Sequence, residues 1–179
     1  MEKQLELRLS GSGGQGLITA GIILAEAALK DNKNAVQTQS YGPEARGGAS
    51  KAEVIISDQG IDFPKVTLPN MTLALTQIAC DKYIKDISEE GTIIVDEDIQ
   101  LPEGLKAKHI YKVPIIKTAR NEVGKEIVAN IVALGLIVGL TGIVSRESLE
   151  AAIMSRIPKG TEDLNRAALH KGYALAENI

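Results

Sequence analysis

Directly after an alternating L-E-L-R-L, the chain reads S-G-S-G-G-Q-G-L-I-T-A-G from Ser10 to Gly21. Gly11, Gly13 and Gly16 fit the spacing G-x-G-x-x-G, with Ser12, Gly14 and Gln15 between them. A turn of this kind can aim backbone N–H groups at an anion from the start of a helix. It can equally let a strand and a helix pack closely with nothing bound. The dinucleotide form also wants an Asp or Glu about 20 residues on, closing the second strand, to bind ribose hydroxyls. Here that strand closes with V-Q-T-Q-S, Val36 to Ser40, and the first acid, Glu44, lies beyond Pro43 in a loop. Arg46 sits in the same loop and is no better placed for a 2'-phosphate. No Gly-Lys-Ser/Thr closes the motif, which excludes a P-loop. A nicotinamide cofactor, another anion and a plain packing turn all stay open on these residues alone.

Other side chains offer less. Arg46, between Ala45 and two glycines, is a fork-shaped donor set for a phosphate or carboxylate, or an ion-pair partner for Glu44 or for an acid on another chain. Tyr41 suits an interface anchor or a cover over the turn. Cys80, in Q-I-A-C-D, has no neighbouring cation or His, so it reads as an inert thiol. His109 and His170 have no mutual spacing for a metal, and no Cys-x-x-Cys or Cys/His cluster exists to hold zinc or an iron-sulfur centre.

The elements that must position these residues follow from periodicity. Leu5, Leu7 and Leu9 alternate with charged residues, which predicts a strand with one wet face. Leu17, Ala20, Gly21, Leu24, Ala27 and Ala28 recur at helical spacing up to the turn at Asp31 to Asn34. Strands are predicted at Ala35 to Thr38, Lys51 to Ser57, Met71 to Thr76, Gly91 to Asp96 and Lys108 to Val113, with Ser40 to Ser50 a loop by its Gly and Pro content. Helices are predicted at Gln77 to Ile87, Ile115 to about Val123, about Lys125 to Leu140, Ser145 to Ile157 and Thr161 to Glu177. Ser145 and Thr161 read as N-caps, each before acidic first-turn residues. This order predicts an α/β fold: a three-layer α/β/α sandwich on a mostly parallel, partly mixed sheet, opening with a Rossmann-like β-α-β unit.

The chain has 179 residues, 44% hydrophobic and 24% charged, so one domain over 1–179 with an ordinary globular core is expected. A net charge of -3 gives no basic footprint for nucleic acid. A single cysteine and an N-terminus unlike a secretory signal point to a reducing cytoplasm. The run from Ile127 to Val144 is the nearest thing to a membrane span. It falls short of about 20 apolar residues, carries Asn130 and has no aromatic anchors, so a buried helix is the expectation. Such a helix needs cover on every side, and Gly135-x-x-x-Gly139 would admit a close backbone from this chain or a partner.

Two stretches together say more than either alone. G-S-G-G-Q-G with its Ala-rich helix, followed by S-Y-G-P-E-A-R-G-G-A-S (Ser40 to Ser50), resembles the gamma subunits of the 2-oxoacid:ferredoxin (acceptor) oxidoreductases. V-I-I-S-D (Val54 to Asp58), L-P-N-M-T-L-A-L-T-Q (Leu68 to Gln77) and L-N-R-A-A-L-H-K-G-Y (Leu164 to Tyr173) extend the resemblance over nearly the whole chain. It looks most like the 2-oxoglutarate branch, with the pyruvate, ketoisovalerate and indolepyruvate branches as alternatives and a stand-alone NAD(P) dehydrogenase as the competing class. The resemblance implies an assembly that oxidatively decarboxylates a 2-oxoacid with coenzyme A, giving acyl-CoA, CO2 and a reduced acceptor. It implies alpha, beta and delta partner subunits carrying thiamine diphosphate, magnesium and iron-sulfur clusters, and ferredoxin or a similar acceptor. For this chain it implies no catalytic side chain and no firmly bound cofactor. Gly11, Ser12, Gly13, Gly14, Gln15, Gly16, Tyr41 and Arg46 are the candidate cofactor-binding residues, the glycine turn presenting N–H groups to an anionic portion of substrate or coenzyme, and the isolated chain is expected to be inactive and able to homodimerise.

Overall fold

The computed structural model describes residues 4–41 and 48–179. Its strands are β1 (Gln4–Ser12), β2 (Asn34–Tyr41), β3 (Ala49–Ser57), β4 (Met71–Ala74), β5 (Thr92–Asp96) and β6 (His109–Val113). The helices are α1 (Leu17–Lys30), α2 (Gln77–Tyr83), α3 (Ile115–Lys117), α4 (Ala129–Thr141), α5 (Arg146–Arg156) and α6 (Glu162–Glu177). The strands form one sheet in the order β2-β3-β1-β4-β5-β6. β1, β4, β5 and β6 are parallel, whereas β3 runs antiparallel to both β1 and β2. The sheet is therefore mixed. The opening strand-helix-strand unit is there, with β2 running in the direction of β1, but β3 lies between them.

Strand alternation divides the apolar residues between two layers of unequal depth. Leu7, Leu9, Val54, Ile56, Met71, Leu73 and Ile94 face one side and share a core with α1, α4, α5 and α6. On the other side Ala74, Ile93 and Val95 join Cys80, Ile84, Ile87 and Ile99 in a smaller core under α2. That thin side also carries charge. Arg8 Nε donates to Glu53 Oε1 at 2.7 Å, Lys51 Nζ reaches the same oxygen at 2.8 Å, and Arg8 Nη1 donates to the Tyr83 carbonyl at 3.2 Å. Burial of Glu53 is tolerable because two cations share its oxygen.

The apolar helix finds its cover inside the chain. Ala129 through Val138 are all buried, and α6 lies along α4 so closely that a Cβ on Gly172 would sit 2.8 Å from both the Gly135 Cα and the Leu136 nitrogen. Of the two sources of cover left open by the sequence, its own α6 supplies this one. Among the described residues no helix is long and apolar enough to cross a membrane.

Several boundaries differ from expectation. Ser40, Tyr41, Ala49 and Ser50 belong to strands, because Tyr41 pairs with Ser50 and Ser50 with Gly11. α2 stops at Tyr83, and the chain then bends so that Ile84 and Ile87 both reach the second core. A π turn over Thr118–Val123 and a 3-10 turn over Glu126–Val128 lead from α3 into α4. Ser145 caps α5 as expected, accepting the Ser148 N–H at 3.1 Å. Thr161 precedes α6 but does not cap it, since its hydroxyl donates to the Pro158 carbonyl at 2.7 Å.

Candidate functional site

The glycine stretch spans the end of β1 and the start of α1, and its residues have separate jobs. Gly11 is inside the strand, opposite Ser50, and not in the turn. A side chain there would run into Gln15 Oε1 and, at 2.6 Å, Leu17 Cδ1. Gln15 folds back over it, so that Oε1 accepts the Ser12 N–H at 2.8 Å, while the Gln15 N–H bonds the Ser12 carbonyl at 3.3 Å. The Gly13 N–H is taken by the Gly48 carbonyl at 3.2 Å. Gly16 enters the helix with φ 72°, and a Cβ there would lie 2.6 Å from Asn130 Nδ2, which donates to the Gly16 carbonyl at 3.1 Å. Gly13 and Gly14 differ from these: a Cβ at either would meet nothing within 4 Å.

A turn directed at an anion aims its amides at the ligand. Those of Ser12, Gly13 and Gln15 are instead engaged in closing the turn. Within the described residues the amides left for a ligand are those of Gly14, Gly16 and the first helical turn, the positive end of a 14-residue helix.

Two cavities flank this point. On one side lies a polar cleft of about 640 Å³ at the carboxyl ends of β1, β4 and β5, bordered by Ser12, Gln15, Thr76, Asp96 and Arg120. α1 leaves β1 toward the thick layer and α2 leaves β4 toward the thin one, so the cleft is the topological switch point where open α/β sheets bind ligands. On the other side is a mostly apolar cavity of about 350 Å³, walled by Ile23, Ile131, Ile157 and Leu164 and bordered by Gly14, Gly16 and Lys125.

The polar cleft is not a bare cationic cradle. Glu97 pairs with Lys117 at 3.4 Å, and Arg120 pairs with Glu126 at 2.6 Å. Asp96, at the end of β5, is almost fully buried, and burial pushes its carboxyl above the ordinary carboxylate range although Oδ2 accepts the Ile116 N–H at 2.8 Å. Asp96 thus borders the cleft from β5, on the other flank of β1 from β2. Its signal in the sequence was the aspartate closing T-I-I-V-D. Asn130, which fixes the turn from α4, was visible as a polar residue in an apolar run.

The second motif is brought to the first by pairing. Ser12 lies opposite Ala49 in the β1-β3 ladder, and Gly48 accepts from Gly13, so the tip of the β2-β3 hairpin starts beside the glycine turn. The backbone of Tyr41 closes β2 opposite Ser50. Its side chain, Glu44 and Arg46 lie outside the described residues. Cys80 is buried in the second core, where burial pushes its thiol up, in keeping with an inert role. His109 stacks on Tyr111 along β6 with centroids 6.0 Å apart, away from the turn. Among the described residues no group of three His, Cys, Asp or Glu could hold a metal.

Comparison with known proteins agrees over nearly the full length. Residues 6–175 match the family described as pyruvate ferredoxin/flavodoxin oxidoreductase. The 2-oxoglutarate synthase subunit KorC of Methanocaldococcus jannaschii is 55% identical, over 97% of this chain and 95% of its own. The pyruvate synthase subunit PorC of Methanothermobacter marburgensis is 31% identical over 94% of this chain and 96% of its own. Among solved structures, the gamma subunit of a keto/oxoacid ferredoxin oxidoreductase from Geobacter sulfurreducens superposes with a TM-score of 0.85 at 52% identity, covering 98% of this chain and 99% of that one.

Proposed function

The chain belongs to the pyruvate ferredoxin/flavodoxin oxidoreductase family, as a gamma subunit of the 2-oxoglutarate synthase type, and from that premise we propose that its glycine turn forms part of the wall along which coenzyme A approaches the reacting centre. The 2-oxoglutarate assignment rests on the difference between 55% identity to a 2-oxoglutarate synthase subunit and 31% to a pyruvate synthase subunit. The reaction is the oxidative decarboxylation of 2-oxoglutarate with coenzyme A to succinyl-CoA, CO2 and a reduced acceptor.

The observation that carries the coenzyme A reading is the open half of the turn. Gly13 and Gly14 face space that a Cβ would not fill, and the Gly14 and Gly16 amides sit at the positive end of α1. A polar cleft and an apolar cavity meet on either side of that point, which suits an elongated ligand with anionic groups and a longer neutral arm. Arg46, two residues before Gly48 in sequence and outside the described residues, is the further fork-shaped donor this reading calls on.

Electron transfer and decarboxylation belong to other subunits in this reading. This chain has one cysteine, and its thiol is buried and pushed up, so its own residues supply no thiolate set for a cluster. Thiamine diphosphate, magnesium and iron-sulfur clusters are assigned to the alpha, beta and delta partners, which pass electrons to ferredoxin. A stand-alone nicotinamide dehydrogenase finds little support, because β2, N-A-V-Q-T-Q-S-Y, offers no acid at its end for ribose hydroxyls.

The test is made in the assembled enzyme. Gly13→Leu places a side chain where nothing stands within 4 Å, so folding should be spared. The KM for coenzyme A should rise about tenfold or more, equivalent to about 1.4 kcal/mol of lost binding, with the KM for 2-oxoglutarate unchanged. An unchanged KM for coenzyme A would refute the reading.

A further inference from the structure

The mostly apolar cavity of about 350 Å³ beside the glycine turn has the size of a small-molecule pocket, and two buried carboxamides interrupt its aliphatic walls. Asn165 is 5% exposed; its Nδ2 donates to the Thr161 carbonyl at 2.9 Å and hydroxyl at 3.2 Å, which leaves Oδ1 with no partner among the described residues. Asn130 is 8% exposed; its Oδ1 accepts the Ile131 N–H and one Nδ2 hydrogen goes to the Gly16 carbonyl, which leaves the second hydrogen unspent. The two share one end of the fold. α4 and α6 run in the same direction, Gly135 beside Leu169 and Gly139 beside Ala176, and Asn130 and Asn165 lie about one turn earlier on each helix. A spare acceptor and a spare donor on buried side chains that border one cavity call for a ligand, because an unpaired polar group inside a fold costs stability. None of the described residues bordering the cavity is acidic.

We propose that this cavity takes the adenine base of coenzyme A, an inference that rests on the coenzyme A reading of the turn and adds where the base lies and what recognises it. Adenine is flat and apolar on both faces, and one edge carries an amine that donates beside a ring nitrogen that accepts. The cavity offers the complement: the Asn165 oxygen for the amine, the Asn130 N–H for the ring nitrogen, and Ile23, Ile131, Ile157 and Leu164 for the faces. Guanine has a carbonyl oxygen where adenine has the amine, so it would set oxygen against oxygen at Asn165. A base placed here brings its phosphates to the Gly14 and Gly16 amides, since both glycines border the cavity, and Lys125 on the same border adds a cation for them. The amide-bearing arm then runs out along the polar cleft on the other side of the turn.

The assembled enzyme is assayed with coenzyme A and with its analogue carrying hypoxanthine, which has a carbonyl oxygen in place of the amine. The parent should prefer the adenine form about tenfold in kcat/KM. Asn165→Leu should erase that preference, with the KM for 2-oxoglutarate unchanged. Thr19→Trp, at an exposed position on the border, fills the mouth without touching the core and should raise the KM for coenzyme A about tenfold or more. Free ADP should inhibit in competition with coenzyme A. Equal use of the two forms by the parent overturns the proposal, as does a preference that survives Asn165→Leu or a KM that Thr19→Trp leaves alone. ADP acting without competition would give the cavity to a free nucleotide, which also overturns it. Gly13→Leu keeps the two readings apart, since it should raise the KM for both forms alike and preserve their ratio. If Gly13→Leu is silent while Asn165→Leu erases the preference, the wall reading falls and the base site stands; the reverse result removes the base site alone.

Discussion

Glycines do opposite work in two parts of this molecule. Where α4 meets α6, Gly135, Gly139 and Gly172 are filled: a Cβ on any of them would strike the facing helix. At the end of β1, Gly13 and Gly14 are open, with nothing within 4 Å of an added Cβ. The first set exists so that two backbones can touch, and its loss should be read in stability. The second has no packing reason: Gly14 holds a left-handed φ of 91°, and the space beside both glycines is where the proposed ligand would lie. Gly11 and Gly16 belong with the closed set although they share the motif, because Gln15, Leu17 and Asn130 fill the room a side chain would take.

The sharpest break of this comparison is Gly172→Ala. Helix propensity favours the change by about 1 kcal/mol, but the new methyl would overlap the Val132 carbonyl and lie 2.8 Å from the Gly135 Cα, both backbone and unable to rotate away. Because both clashing atoms are fixed backbone, overpacking should exceed its usual range of roughly 1–3 kcal/mol, reaching about 4, and win for a net loss of about 3 kcal/mol. Urea denaturation of the full chain checks it, and a stabilised variant would show that the α4-α6 contact is looser than drawn.

A smaller effect is expected at the other end of α1, where Asp31 ties α1 to α5. Its carboxylate accepts from Ser145 Oγ at 2.8 Å, from the Ser145 N–H and from Ser148 Oγ. Burial alone would raise its pKa, but these three bonds hold it below the ordinary value of 3.8. An acid depressed in the folded state contributes stability that is whole above its unfolded value and is lost as pH falls through the folded one. Asp31→Asn should therefore cost about 2 kcal/mol at neutral pH. The gap between parent and variant should close as the pH drops below 3.8, measured by denaturation across that range. Asp96 acts in the opposite sense: burial raises its pKa, so its ionised form costs stability near neutrality, relieved as the pH falls through that raised value.

Much of this division is hidden from the sequence for a physical reason. Alternating Leu5, Leu7 and Leu9 and the V-I-I of β3 announce strands because one face is buried, and the spacing of Leu17, Ala20 and Leu24 announces α1. Ser40, Tyr41, Ala49 and Ser50 read as loop, since small and polar residues near a hairpin tip carry no alternation, and the ladder that makes them strands is nonlocal. Nothing local says that β3 enters between β1 and β2, or that Asn130, 114 positions from Gly16, fixes the turn. Gly13 to Gly16 were legible as a turn before a helix, whereas Gly11 and Ser12 close β1 instead. Which of their amides are free was not, because Gln15 and Gly48 decide that through contacts seen only in the fold.

The smallest expected change, and the one that sharpens the comparison most, is at Gly14. Its φ of 91° lies in the left-handed region and its surroundings are empty, so only the backbone resists a side chain. Gly14→Ala should cost about 1 kcal/mol, and Gly14→Asn less, because asparagine tolerates that conformation better than other non-glycine residues. At Gly172 the order must reverse, since there space is the constraint and the larger side chain does more harm. Denaturation of the four variants side by side separates conformation from crowding. If asparagine were worse than alanine at Gly14 as well, that turn would be a packed contact like the helix pair, and the argument for a ligand there would fall with it.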